Sequence, residues 1–90
     1  MVKRHANVLT GRLEDAFLNG CSYISWAELY HWYGVKKIAA GTWRDLHERW
    51  EELAEDDQSR GQLMKIETGG GIFILGEKTM TPVNPDGNDS

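Results

Sequence analysis

Ser25-Trp26-Ala27-Glu28-Leu29-Tyr30-His31-Trp32-Tyr33-Gly34 reads as one short helix with both of its ends written into the sequence. Ser25 and Glu28 form a capping box, in which the hydroxyl accepts from the Glu28 amide and the carboxylate returns the bond. The helix therefore starts at Trp26. Gly34 tolerates the left-handed turn that ends it after Tyr33. Trp26, Leu29 and Tyr33 share one face at i, i+3 and i+7. Tyr30, His31 and Trp32 then fall on a flank where helical spacing cannot bury all three. That cluster suits a dimer surface or a partner site, and equally a set of ring edges beside a small core.

Toward the carboxyl end, Lys36 to Gly41 links this helix to a longer one. Thr42 is placed to cap it, with Asp45 completing the box. Trp43, Leu46, Trp50 and Leu53, spaced 3, 4 and 3, predict a buried stripe, and the helix should end near Ala54 or Glu55. A polar loop, residues 56–61, follows. The period then changes: Leu63 to Glu67 and Ile72 to Leu75 are strands, and Thr68-Gly69-Gly70-Gly71 is the turn between them. From Thr79 onward two Pro, a Gly and small polar residues predict a disordered tail, so residues 1–78 form the domain and 79–90 the tail. Toward the amino end, Cys21 to Ile24 reads as a brief strand. Before it, Leu9, Leu13, Ala16 and Phe17 mark a helix from about Ala6 to Asn19, closed by Gly20.

Ninety residues make one small domain, and four Trp with three Tyr supply an unusual share of its bulk. The formal net charge is −4, but it is unevenly spread. Residues 1–50 hold seven Lys and Arg against five acids, whereas 51–90 hold three against nine. An anionic partner should meet the first half. The single cysteine, Cys21, excludes an internal disulfide, fits a reducing compartment and is expected as a small buried thiol. No stretch is long and apolar enough for a bilayer, and the basic Met1 to His5 lacks the apolar region of a signal peptide. Asn88-Asp89-Ser90 matches a glycosylation acceptor, which has no meaning without secretion. A cytoplasmic location without membrane attachment is expected.

Helix, short strand, helix, helix, hairpin is the order of an α+β winged helix domain. The likeness is carried by Glu28-Leu29-Tyr30-His31-Trp32-Tyr33-Gly34-Val35, by Gly41-Thr42-Trp43-Arg44-Asp45-Leu46-His47-Glu48-Arg49-Trp50 and by the hairpin at 63–75. Over residues 6–76 the chain resembles winged helix-turn-helix transcriptional regulators of bacterial, plasmid or phage type. That resemblance implies a third helix in the major groove of double-stranded DNA, amino-terminal residues on the base edges. Two features depart from the pattern. The link from Gly34 to Gly41 is longer than a tight turn, and the turn at 68–71 lacks the cation a minor-groove wing presents.

With Trp43, Leu46, Trp50 and Leu53 inward, a 100° step places Arg44 and Glu48 opposite the core and Asp45 beside them. Arg44 then suits a guanine edge, and Asp45 or Glu48 a cytosine amino group. Lys36 and Lys37 suit phosphates, Thr42 adds a neutral contact, and Lys3, Arg4 and Arg12 extend the cationic side. Arg44 and Glu48, four apart, equally suit a salt-bridged solvent face, and Glu48, Glu51, Glu52 and Glu55 make the helix's second half repel phosphates. A homodimer reading two half-sites is expected. The acidic half and uncharged turn support a different reading, a winged-helix protein-interaction module, a small inhibitor or adaptor or a mimic of DNA. Fold alone does not choose between them. His5, His31 and His47 are too scattered to bind metal with Cys21 or a carboxylate, and no phosphate loop or nucleophile constellation is present. Neither an enzyme nor a cofactor is expected.

Overall fold

The structure, a computed structural model, describes residues 1–83 and 85. Three α-helices and three strands run in the order α1 (Lys3–Asn19), β1 (Ser22–Ser25), α2 (Trp26–Tyr33), α3 (Ala40–Leu53), β2 (Leu63–Glu67) and β3 (Gly71–Gly76). They form a small α+β domain with one antiparallel sheet of order β1-β3-β2. A 3-10 turn, Glu77–Thr79, follows β3. Thr79 to Val83, at the start of the expected tail, carry no regular element beyond that turn. The rest of the tail, Pro85 apart, lies outside the described residues, as does Asn88-Asp89-Ser90.

Each helix follows from its apolar spacing. In α1, Leu9, Leu13 and Ala16 repeat at four and three residues and are fully buried. The helix begins three residues earlier than the apolar stripe alone would place it. Gly20 ends it in a left-handed conformation, its amide donating to the Ala16 carbonyl. Ile24, Ile72 and Ile74 come from β1 and β3 and meet Leu9, Leu29, Leu46 and Trp50 beneath the sheet. β3 is central, so it needs close neighbours on both sides. A Cβ on Gly71 would run into the Ile24 carbonyl and the Ser25 backbone, which is why glycine opens this strand.

The capping box at the start of α2 is complete. Ser25 Oγ accepts from the Glu28 amide at 3.1 Å, and Glu28 Oε1 accepts from the Ser25 amide at 3.0 Å. We expect Ser25→Ala to cost about 1 kcal/mol of unfolding free energy, measured by urea titration with circular dichroism, since an orphan amide replaces a bonded one.

The structure departs from four expectations of the sequence. In α2, Trp32 is buried at 6% exposure, whereas Trp26 and Tyr33 are only half-buried. Their polar ends draw them aside. Trp26 Nε1 donates to the Thr68 carbonyl, and the Tyr33 hydroxyl donates to Asp45. The buried face is therefore centred between Leu29 and Trp32, on the side of Leu29 away from Trp26. Thr42 is not a cap, because α3 starts at Ala40 with Ala39 before it, so Thr42 turns inward and is buried. Cys21 is exposed, because it precedes β1 on the parity of Tyr23, opposite to Ile24. Arg12 is half-buried and committed to partners within the fold, so it adds nothing to a free cationic surface.

Candidate nucleic-acid interface

The outer side of α3 begins with three cations. Lys36 and Lys37 are exposed in the link, and Arg44 is exposed one turn into the helix. Among the described residues none of the three makes an ion pair. Glu48, exposed one turn beyond Arg44, makes none either, so the Arg44–Glu48 bridge that their spacing permits is not formed. Each keeps its charged end in solvent.

Asp45 has a different place. Its Oδ2 accepts from the Tyr33 hydroxyl at 2.6 Å and from Arg49 Nε at 2.7 Å. Burial pushes the carboxyl's pKa up, but bonds from Arg49 and Tyr33 outweigh it, and the net displacement is downward. Burial, then the Asp45 carboxylate, raises the Tyr33 phenol well above its ordinary value. Asp45 therefore braces α2 against α3 through Oδ2, while Oδ1 makes no hydrogen bond among the described residues. Thr42, being buried, cannot meet a phosphate. Of the six residues that sequence reading assigned to DNA, Lys36, Lys37, Arg44 and Glu48 are at the surface, Thr42 is buried, and Asp45 is half-buried and held by Tyr33 and Arg49.

Sequence reading missed the brace. Tyr33 and Asp45 are twelve residues apart, and no local pattern joins them. It also missed how α3 is held against the hairpin. The Trp43 ring lies edge-on to Trp26 at 6.4 Å, and Lys65 Nζ sits 4.5 Å from the Trp43 centroid. Between them Leu46, Leu63, Ile72 and Ile74 line a cleft of about 200 Å³.

Of the aromatic cluster on α2, Tyr30 and His31 remain at the surface and Trp32 does not. His31 packs in a tilted contact on His5 of α1, ring centroids 4.6 Å apart. Desolvation, then the charges of His31, Arg4 and the amino terminus, lowers the His5 pKa. This surface is smaller and more polar than three exposed rings would have made it. His47 pairs instead with Glu51 on α3, at 3.4 Å. No helix among the described residues is long and apolar enough to cross a membrane. No protein-family model matches the chain, and no curated protein or solved structure shows significant similarity to it.

Proposed function

We propose that the chain is a winged helix-turn-helix domain that binds double-stranded DNA as a small transcriptional regulator. In this reading the first half of α3 enters the major groove. Arg44 reads a guanine edge, and Lys36 and Lys37 hold phosphates. Glu48, exposed and without an ion pair among the described residues, is the better-placed acceptor for a cytosine amino group. The observation that carries it is the exposed Arg44 beyond Lys36 and Lys37, unpaired among the described residues on the outer face of a helix buried along its other side. Supporting it, three helices and an antiparallel sheet of order β1-β3-β2 are compatible with a winged helix. The Tyr33–Asp45–Arg49 brace would fix the angle between α2 and α3 across their long link.

A fluorescence anisotropy titration with random-sequence duplexes at two salt concentrations tests this. Binding should weaken steeply with salt, and Lys36→Ala with Lys37→Ala should reduce the slope of log K against log salt by about 2. After selection of a preferred site, Arg44→Ala should relax discrimination at one base pair by about tenfold while changing the slope by about 1 at most. Absence of binding at low salt would sink the proposal. The acidic second half of α3, with Glu48, Glu51, Glu52 and Glu55 exposed, favours the rival reading of a protein-interaction module. That outcome would leave it as the reading to pursue.

A further inference from the structure

The sheet has one open edge that nothing in the fold covers among the described residues. β3 is central. On the β1 edge the outward Tyr23 carbonyl accepts from Arg12 and the outward Ser25 amide donates to Glu28. β2 is thus the edge left with its outward backbone groups unpaired among the described residues. The backbone bonds at either end of the hairpin establish which groups face that way. The Thr68 amide donates to the Gly71 carbonyl and the Glu77 amide to the Gln62 carbonyl, both at 2.8 Å. Even-numbered positions of β2 therefore bond to β3. Leu63, Lys65 and Glu67 point their N–H and C=O groups away from the sheet. No proline blocks these groups, and the strand's one lysine turns its ammonium toward Trp43 and Glu67. An edge of this kind is a template for another strand.

The outer face of the sheet ends at the same place. Tyr23 pairs with Phe73 and Phe73 with Ile66, so one cross-strand row crosses all three strands. These side chains are 39%, 38% and 51% exposed, and the Tyr23 and Phe73 rings lie 4.9 Å apart. The row is apolar, solvent-facing and stops at the open edge.

We propose that the β2 edge pairs antiparallel with the β2 edge of a second copy of this chain, about a two-fold axis beside Ile66. Charge selects the occupant and the register. Two identical antiparallel strands related by a two-fold must pair outward-pointing residues with each other. Centring the axis on Lys65 opposes two ammoniums, and centring it on Glu67 opposes two carboxylates. Centring it on Ile66 sets each Lys65 opposite the partner's Glu67, twice by symmetry. Lys65 Nζ and Glu67 Oε2 already lie 2.7 Å apart along one strand, so the two pairs close into four charges of alternating sign. On the other face Ile66 meets the partner's Ile66, and the apolar row continues across six strands. The turn at 68–71 then lies beside the start of the partner's β2, which accounts for a tip without a cation. Dimer formation by this route needs nothing from Tyr30, His31 or Trp32, and it stands whether or not the chain binds DNA.

Analytical ultracentrifugation of the full chain without DNA is the test, joined to amide hydrogen exchange at low and high protein concentration. A concentration-dependent dimer is expected, with exchange at Lys65 and Glu67 slowing as the dimer fills. Lys65→Glu and Glu67→Lys should each weaken association by about tenfold or more, and the double variant should restore it. A chain monomeric throughout overturns the proposal. So does a dimer in which the Lys65 and Glu67 amides exchange as fast as in the monomer, a result that needs no variant to fold. Single reversals without effect, or a folded double variant that stays monomeric, count equally against it.

Discussion

Trp50→Ala is expected to lower the unfolding free energy by about 3–5 kcal/mol. A chain of this length has roughly 5–13 kcal/mol in total, so the variant would sit near its folding limit. Trp50 is at 0% exposure, near the carboxyl end of α3. Its ring meets Phe17 of α1 with centroids 5.6 Å apart, and its Nε1 donates to the Gly61 carbonyl at 3.0 Å. Truncation thus opens a cavity where α1, α3 and the loop before β2 converge, and it also orphans a carbonyl. Trp50→Phe separates the two losses. It keeps most of the buried area and removes the donor, so about 1–2 kcal/mol is expected. Denaturant unfolding followed by far-ultraviolet circular dichroism measures both without relying on tryptophan emission. A loss below about 1 kcal/mol for Trp50→Ala would mean that α3 is not anchored as described. The position of Arg44 depends on that anchor, since both residues ride on one helix.

Local patterns fixed the helices and the hairpin, and long-range pairings fixed what local patterns could not. Ser25 and Glu28 announced α2, Gly20 and Gly34 announced two helix ends, and the 3-4-3 spacing from Trp43 to Leu53 announced which side of α3 turns inward. The surface placement of Arg44 and Glu48 follows from that spacing by geometry alone. Trp32 was different. Trp26, Leu29 and Tyr33 make an equally good stripe, and only Thr68 and Asp45, distant in sequence, draw Trp26 and Tyr33 aside. Arg12 looked like a surface cation for the same reason, because its partner Glu28 lies sixteen residues away. Asp45 has a legible i,i+4 partner in Arg49, but its bond from Tyr33, twelve residues away, exists only in three dimensions. The row Tyr23, Phe73 and Ile66 obeys strict strand alternation. Its recognition required knowing that β1 pairs with β3 across some fifty residues, and no local signal carries that.

Arg12→Met should cost about 2–3 kcal/mol at neutral pH and much less in acid. The guanidinium joins three elements. It is bidentate on Glu28, with Nη1 at 3.1 Å from Oε1 and Nη2 at 2.6 Å from Oε2, and Nη1 also donates to the Tyr23 carbonyl at 2.7 Å. It lies 5.6 Å from the Trp32 ring centroid, capping the one tryptophan of α2 that enters the core. The Glu28 and Arg12 side chains are 32% and 30% exposed, so solvent screens the charge pair and the figure stays below that of a sealed ion pair. The Arg12 hydrogen bond first, with the Ser25 amide and the Arg12 charge behind it, overcomes desolvation and holds the Glu28 carboxyl below its ordinary 4.5. A depressed folded pKa means stability that is complete above the ordinary value and disappears as pH falls through the folded one. Unfolding free energies of the parent and Arg12→Met should therefore differ most near pH 7 and converge below about pH 4.5. Methionine keeps the aliphatic cover over Trp32, so a pH-independent deficit would assign the loss to packing instead. Glu28→Gln completes the comparison: its amide oxygen still accepts from the Ser25 amide, so the cap survives while the charge does not. If Glu28→Gln removes the convergence but leaves α2 intact, the Arg12–Glu28 pair, and not the cap, ties α1 to the helix on which the α2–α3 brace is built.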